Sequence, residues 1–235
     1  ATRSIMQILK LNDLTMPKGL ARDYPKYDIR SFSIDVGRKP FEMETLYAMV
    51  KEMAYYKMND LQVHLNDNLI FYEDFASVEE AMANAYVGFR LESDIKEGEV
   101  IAGDSKGVAN ATDLTSKDMF YTKKEFREFI LAARELGIEI VPEFDTPGHA
   151  GALLNVRPDL RLKVNTEGVA NRRGEQFDLS DECYADSSNF VKQLWNEFLK
   201  EDMFDSSMTV HIGTDEYYGP AEQFRKFSDD IIGHV

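Results

Sequence analysis

A short apolar strand followed by an amphipathic helix recurs along this chain, and that alternation constrains the fold more than any other feature. Ser31-Phe32-Ser33-Ile34-Asp35-Val36 reads as the first strand. Met43, Leu46, Tyr47, Val50, Met53 and Ala54 then follow at helical spacing. Leu61-Gln62-Val63-His64-Leu65 is the second strand. Thr122 and Glu125 form a capping-box pattern before a helix whose apolar face is Phe126, Phe129, Ile130 and Ala133, and Gly137 ends it. Ile138 to Val141 is the third strand, closed by Pro142. Ser187 or Ser188 is the expected cap of the next helix, with Phe190, Val191, Leu194, Trp195, Phe198 and Leu199 as its stripe. Trp195 therefore belongs to the core. Met208-Thr209-Val210-His211-Ile212 is the expected fourth strand, and Pro220 the expected first residue of a last helix carrying Phe224, Phe227 and Ile231. Strands alternating with helices argue for a parallel sheet.

The long polar stretch between Asn66 and Tyr121 exceeds an ordinary connection and reads as an insertion with structure of its own. The 235 residues, 43% hydrophobic, suffice for one substantial core. With 42 acidic against 27 basic residues the formal charge is −15, which disfavours nucleic acid and anionic membrane surfaces as partners. No apolar run reaches the roughly 18 residues of a membrane span, and nothing at the N-terminus reads as a signal peptide. Cys183 is the only cysteine, so neither an intrachain disulfide nor a thiolate metal cluster is expected. The chain opens on Ala1 rather than Met, as a piece of a longer polypeptide would.

Each strand ends in polar residues that a core strand does not need. Arg30 precedes the first strand and Asp35 lies within it. The second runs into His64-Leu65-Asn66-Asp67-Asn68. The third ends in Glu143-Phe144-Asp145-Thr146-Pro147-Gly148-His149, and the fourth in His211-Ile212-Gly213-Thr214-Asp215-Glu216. In a parallel α/β barrel the carboxyl ends of all strands open on one face, where active sites form. Plainer readings exist for each residue. His64 and His211, inside apolar alternation, read as satisfied core histidines, and Arg30 as a surface residue or ion pair. Asp67 and Asp145 suit caps or turns, and Asp215-Glu216 suits a helix start. His149, after a Pro-Gly turn, reads as functional. A metal-dependent hydrolase using His64, Asp67, His149, His211 and Asp215 is a rival, but no His-x-His or His-Glu-x-x-His spacing supports it.

Four segments in order resemble glycoside hydrolase family 20, the β-N-acetylhexosaminidases: Ile29 to Arg38, Asn59 to Asp67, Ile140 to His149 and His211 to Glu216. Shorter strings, Arg90-Leu91-Glu92-Ser93, Arg157-Pro158-Asp159-Leu160 and Asp215-Glu216-Tyr217, look nearest to a secreted bacterial branch of exo-β-N-acetylglucosaminidases and lacto-N-biosidases. The resemblance implies a partial (β/α)8 TIM barrel. Residues 1–235 would supply the first four βα units, with 66–121 inserted after strand two.

It also implies a retaining hydrolysis in which the substrate's own acetamido group is the nucleophile. Glu216 would be general acid and base, and Asp215 would hold the acetamido nitrogen. Arg30 would bind sugar hydroxyls, and Asp67 and His149 would back Glu216, with Glu143 and Asp145 in support. The implied substrates are N-acetylhexosamine-containing glycans. The resemblance implies no metal or organic cofactor, and an extracellular or cell-wall location. Alternatives are release of a disaccharide, as by a lacto-N-biosidase, and a non-catalytic carbohydrate-binding fragment. Unpaired barrel edges would favour self-association, and the 235-residue chain by itself is expected to be inactive.

Overall fold

The structure, a computed structural model, describes residues 2–69, 74–77, 80–81, 84–96, 113–163 and 174–235. Three strands, β1 (Ser31–Asp35), β2 (Asp60–His64) and β5 (Glu139–Glu143), form a parallel sheet in the order β1-β2-β5. Side chains alternate across such a sheet. One face carries Ile34, Leu61, Val63 and Ile140, all buried. Helices α2 (Met43–Tyr55) and α3 (Lys123–Glu135) cover it with Leu46, Val50, Met53, Phe126, Phe129 and Ile130. The Thr122–Glu125 capping box is present in both directions, and Gly137 turns the chain at φ +67° beyond the helix.

The other face is polar. The register sets Asp35 beside His64 and His64 beside Glu143. A row of ionisable groups therefore runs level across the strands.

The expected fourth strand is not one. From Met208 to Ile212 only His211 is bridged to the sheet, beside Glu143: its N–H donates to the Pro142 carbonyl (2.9 Å), and its carbonyl accepts from Phe144 (3.2 Å). Thr209 spends its N–H on the Glu139 side chain (2.8 Å) rather than on a ladder. No second strand pairs with this segment among the described residues, so Thr209 and His211 stay exposed.

The polar stretch after β2 contains an antiparallel pair, β3 (Asn66–Leu69) with β4 (Tyr86–Phe89), which sequence periodicity did not reveal. Residues 97–112 of the expected insertion lie outside the described residues. Arg90, directly after β4, is fully buried. It donates to the carbonyls of Val36 (2.8 Å) and Gly37 (3.0 Å) and pairs with Asp118 (2.7 Å). It braces the inserted pair against the end of β1. Arg157, in the other short family-like string, is likewise buried and pairs with Asp159 (2.7 Å).

Helix α1 (Thr2–Leu11) precedes the sheet and buries no residue. The short α4 (Gly151–Val156), buried throughout, also went unread in the sequence. Helix α5 (Tyr184–Phe198) begins ahead of the serines expected to cap it, and Ser187 instead donates to the Asp178 carbonyl (2.7 Å). Pro220 caps α6 (Ala221–Ile232) from just outside it. Phe144 knits the core beneath the carboxyl end of β5, with ring centroids 4.8 Å from Trp195, 5.2 Å from Phe198 and 5.3 Å from Phe89. No described helix is long and apolar enough to cross a membrane.

Candidate active site

The carboxyl ends of the three strands converge because their loops are tied to one another. Asn66 is the central tie: its side chain donates to the carbonyls of Asp145 (3.0 Å) and His149 (3.1 Å) and accepts from the Asp145 N–H (2.9 Å). The turn from Asp145 to His149 is thereby fixed to the end of β2, with His149 at φ +51°. Two glycines bring the 213–216 segment against that turn. A Cβ on Gly148 would collide with the Glu216 carbonyl oxygen, and one on Gly213, at φ +73°, with the Asp145 carboxyl. Thr214 then donates its N–H to Asp145 Oδ1 (3.0 Å).

Asp67 is the electrostatic centre and is 1% exposed. Its Oδ1 lies 3.0 Å from His149 Nδ1; its Oδ2 lies 2.6 Å from His64 Nε2 and 2.8 Å from Arg38 Nη1. Burial alone would raise this carboxyl, yet its hydrogen bonds to His149 and His64 outweigh burial and bring it down to about 2. His64 is also gripped from its other side, by Glu143 Oε2 at 3.2 Å. Burial would lower the imidazole, but the two carboxylates overcome it and push it up to about 10. Glu143 completes the row, accepting from Gln62 (2.6 Å) and pairing with His211 Nδ1 (3.1 Å).

His149 carries this network to the surface. Its Nε2 is 3.5 Å from both Asp215 Oδ1 and Glu216 Oε2. Desolvation opposes its charge, but Asp67 above all, with Asp215, outweighs it and raises the imidazole to about 9. Asp145 goes the other way from an ordinary carboxyl, to about 8, because it is buried and faces the Asp215 charge. A protonated Asp145 hydrogen-bonds Asp215, and that bond and the His149 charge outweigh burial and hold Asp215 below its usual range. Asp215 and Glu216 themselves stand open, with side chains 65% and 53% exposed.

An adjacent carboxylate pair facing a charged imidazole suits proton transfer beside a developing positive charge. The family model described as "Glycosyl hydrolase family 20, catalytic domain" matches residues 27–230. The chain belongs to glycosyl hydrolase family 20. It is 32% identical over 209 residues to a β-N-acetylhexosaminidase of Cellulomonas fimi, covering 86% of this chain and 36% of that protein. It is 29% identical over 213 residues to a β-hexosaminidase of Akkermansia muciniphila, covering 90% of this chain and 38% of that one. The chain thus spans well under half the length of these relatives. In fold it is similar to a solved family 20 β-N-acetylglucosaminidase, with TM-score 0.62 at 23% identity over 91% of this chain and 42% of that one. The parallel α/β architecture is accordingly that of a TIM-barrel family.

Of the family 20 residues expected from the sequence, the structure gathers Asp67, Glu143, Asp145, His149, Asp215 and Glu216 into one network. It does not bring Arg30 there. Arg30 precedes β1, and its guanidinium is taken up by the carbonyls of Lys57 (2.6 Å), Tyr27 (2.5 Å) and Asp28 (3.0 Å) at the amino ends of the strands. There it lines a recess of about 560 Å³ with Arg3, Asp23, Tyr24 and Lys57.

Three polar residues were overlooked or underrated. His64 and His211 are not apolar-core histidines: both pair with Glu143, and His211 is 46% exposed. Their common phase with Glu143 along the strands was the available signal. Arg38, which pairs with Asp35 (2.9 Å) and Asp67 (2.8 Å), carried no such periodicity.

Among the described residues, three groups bring potential metal-ligating atoms within 4.8 Å of one another: Asp35-His64-Asp67, His64-Glu143-Asp145 and Asp145-His149-Asp215. Each depends on His64 or His149, both held protonated by neighbouring carboxylates. A metal would have to displace those protons before it found a lone pair.

Proposed function

We propose that this chain forms part of a β-N-acetylhexosaminidase that removes terminal β-linked N-acetylhexosamine from glycans with retention of configuration. The observation that carries the proposal is the meeting of Asp215 and Glu216 at one imidazole nitrogen, 3.5 Å from each, on a ring anchored to buried Asp67. In this reading Glu216 gives its proton to the glycosidic oxygen as the bond to the anomeric carbon breaks. The carbonyl oxygen of the substrate's acetamido group attacks that carbon from the opposite face and forms an oxazolinium intermediate. Water, deprotonated by Glu216, then opens the ring from the original face.

Asp215 supports this chemistry by staying ionised beside the acetamido nitrogen, where positive charge develops. The imidazolium of His149 stabilises the Glu216 carboxylate formed when the proton leaves. The exposure of both carboxylates favours a pocket completed by residues outside this chain, so the activity is proposed for the full-length parent.

Hydrolysis by the parent of an aryl β-N-acetylglucosaminide, but not of the matching aryl β-glucoside, is the expected result. Equal turnover of both would eliminate acetamido participation. Release of intact lacto-N-biose without any monosaccharide would redirect the specificity to a disaccharide. Within the parent, Glu216→Gln is expected to lower kcat/KM by about 10²- to 10⁴-fold on natural glycans. Aryl glycosides with good leaving groups should suffer much less. Equal losses on both substrate types would remove the general-acid role from Glu216.

A further inference from the structure

Both ring nitrogens of His64 face carboxylates. Nε2 lies 2.6 Å from Asp67 Oδ2, and Nδ1 lies 3.2 Å from Glu143 Oε2. An ionised carboxylate only accepts, whereas a neutral imidazole carries a single N–H and one lone pair. A neutral ring would therefore set its lone pair against one of two buried carboxylates. The arrangement fits a ring that donates from both nitrogens. The charged or titratable groups facing that ring are Asp35 from β1, Asp67 from β3, and Glu143 and Asp145 at the end of β5. Arg38 and His149 share Asp67 with it, and His211 shares Glu143.

The two contacts differ in what lies behind them. Glu143 belongs to the sheet. It stands opposite His64 in the register of β2 with β5 and is held in turn by Gln62 (2.6 Å) and His211 (3.1 Å). Asp67 belongs to the site. Its Oδ1 accepts from the Asn68 N–H (2.7 Å) and holds His149 (3.0 Å), whose other nitrogen faces Asp215 and Glu216. Of the two side chains on Asp67 Oδ2, Arg38 is 37% exposed and His64 13%. The more buried of these donors is thus the one rooted in the sheet.

We propose that His64 is a positioning residue, a doubly protonated clamp that ties Asp67 to Glu143 and so keeps Asp67 Oδ1 turned to the ring of His149. Glu143 fixes the clamp to β5. Asp67 passes that position on to the imidazole beside the carboxylate pair. In this role His64 touches no substrate. Its part in turnover rests on the proposed hexosaminidase reading, whereas the clamp rests on its two contacts alone.

Two substitutions separate those contacts. The amide nitrogen of glutamine takes the place of Nε2, and that of asparagine the place of Nδ1. His64→Gln therefore keeps a donor to Asp67, and His64→Asn keeps one to Glu143. In the full-length parent, His64→Asn should lower kcat by about 10²-fold with KM nearly unchanged. His64→Gln should stay within about tenfold of wild type, rescued by the donor it retains. A residue that merely packs β2 against β5 would give the reverse order, since only asparagine keeps the contact to Glu143. That order, or equal losses in two folded variants, overturns the proposal.

Nitrogen NMR of this chain tests the clamp without any variant, and its four histidines give a small set of signals to assign. At about pH 8, well above an ordinary imidazole titration, His64 is expected to carry hydrogen on both nitrogens. A bare nitrogen on this ring at that pH overturns the clamp. Two N–H groups on His64, in a parent that cleaves no N-acetylhexosaminide, would uphold the clamp and overturn the hexosaminidase reading instead.

Discussion

The inner and outer parts of the candidate site contrast sharply. Asp67, at 1% exposure, has its carboxylate shared among His64, His149 and Arg38, and Glu143 closes the far side of the same network. Asp215 and Glu216 are 65% and 53% exposed and meet that network at its edge, both at His149 and Asp215 also at Asp145. The contrast teaches that one side of a candidate site can be built from buried, mutually paired charges while the other side of it stays open to water. The inner groups need one another to be buried at all, since an unpaired buried charge is costly. The outer pair has no such need, because water still reaches it.

The contrast predicts that inner variants cost stability and outer ones cost turnover. The largest stability loss is expected from Asp67→Asn, on the order of 3–5 kcal/mol, because two imidazoles and a guanidinium lose their shared counter-charge. Urea unfolding of the chain measures it, and a loss below about 1 kcal/mol would break the contrast.

A smaller effect is expected from pH. His64 is raised from 6.5 to about 10 in the folded chain, so its contribution is fully present below 6.5 and is lost as pH rises through about 10. Asp67 acts oppositely: lowered from 3.8 to about 2, it stabilises above 3.8 and that share is lost as pH falls through about 2. Unfolding free energy at about pH 9 should fall below that at about pH 6 by up to about 3 kcal/mol. A flat profile would show that His64 holds no extra proton. The smallest change is expected at the outer pair, where Glu216→Gln should alter stability by no more than about 0.5 kcal/mol. A larger change would make Glu216 part of the inner network.

Much of the inner frame was legible in the sequence because periodicity reports burial. The three sheet strands, the capped helix after Thr122 and the core place of Trp195 all follow from apolar spacing. The same habit misread His64 and His211, whose apolar neighbours face the helices while they face the polar row. Met208 to Ile212 has the composition of a strand, but only His211 bridges to β5, and the Thr209 N–H goes to the Glu139 side chain instead of a ladder partner. Arg30 and Arg38 look alike as isolated basic residues. What separates them is which end of β1 each occupies, Arg30 the amino end and Arg38 beyond the carboxyl end, an order the sequence already carried. The β3–β4 pair was hidden by Asn66, Asp67 and Asn68, whose polarity reads as loop because these side chains serve the site.

The fit between Gly148 and the Glu216 carbonyl changes how the outer pair is held. Where two backbones touch with no side chain between them, the spacing is set by main-chain dimensions. The carboxylate-bearing segment therefore inherits its height from the turn after β5, much as a shelf takes its level from the bracket beneath it. That is why the pair can be registered to the sheet without a regular strand leading into it.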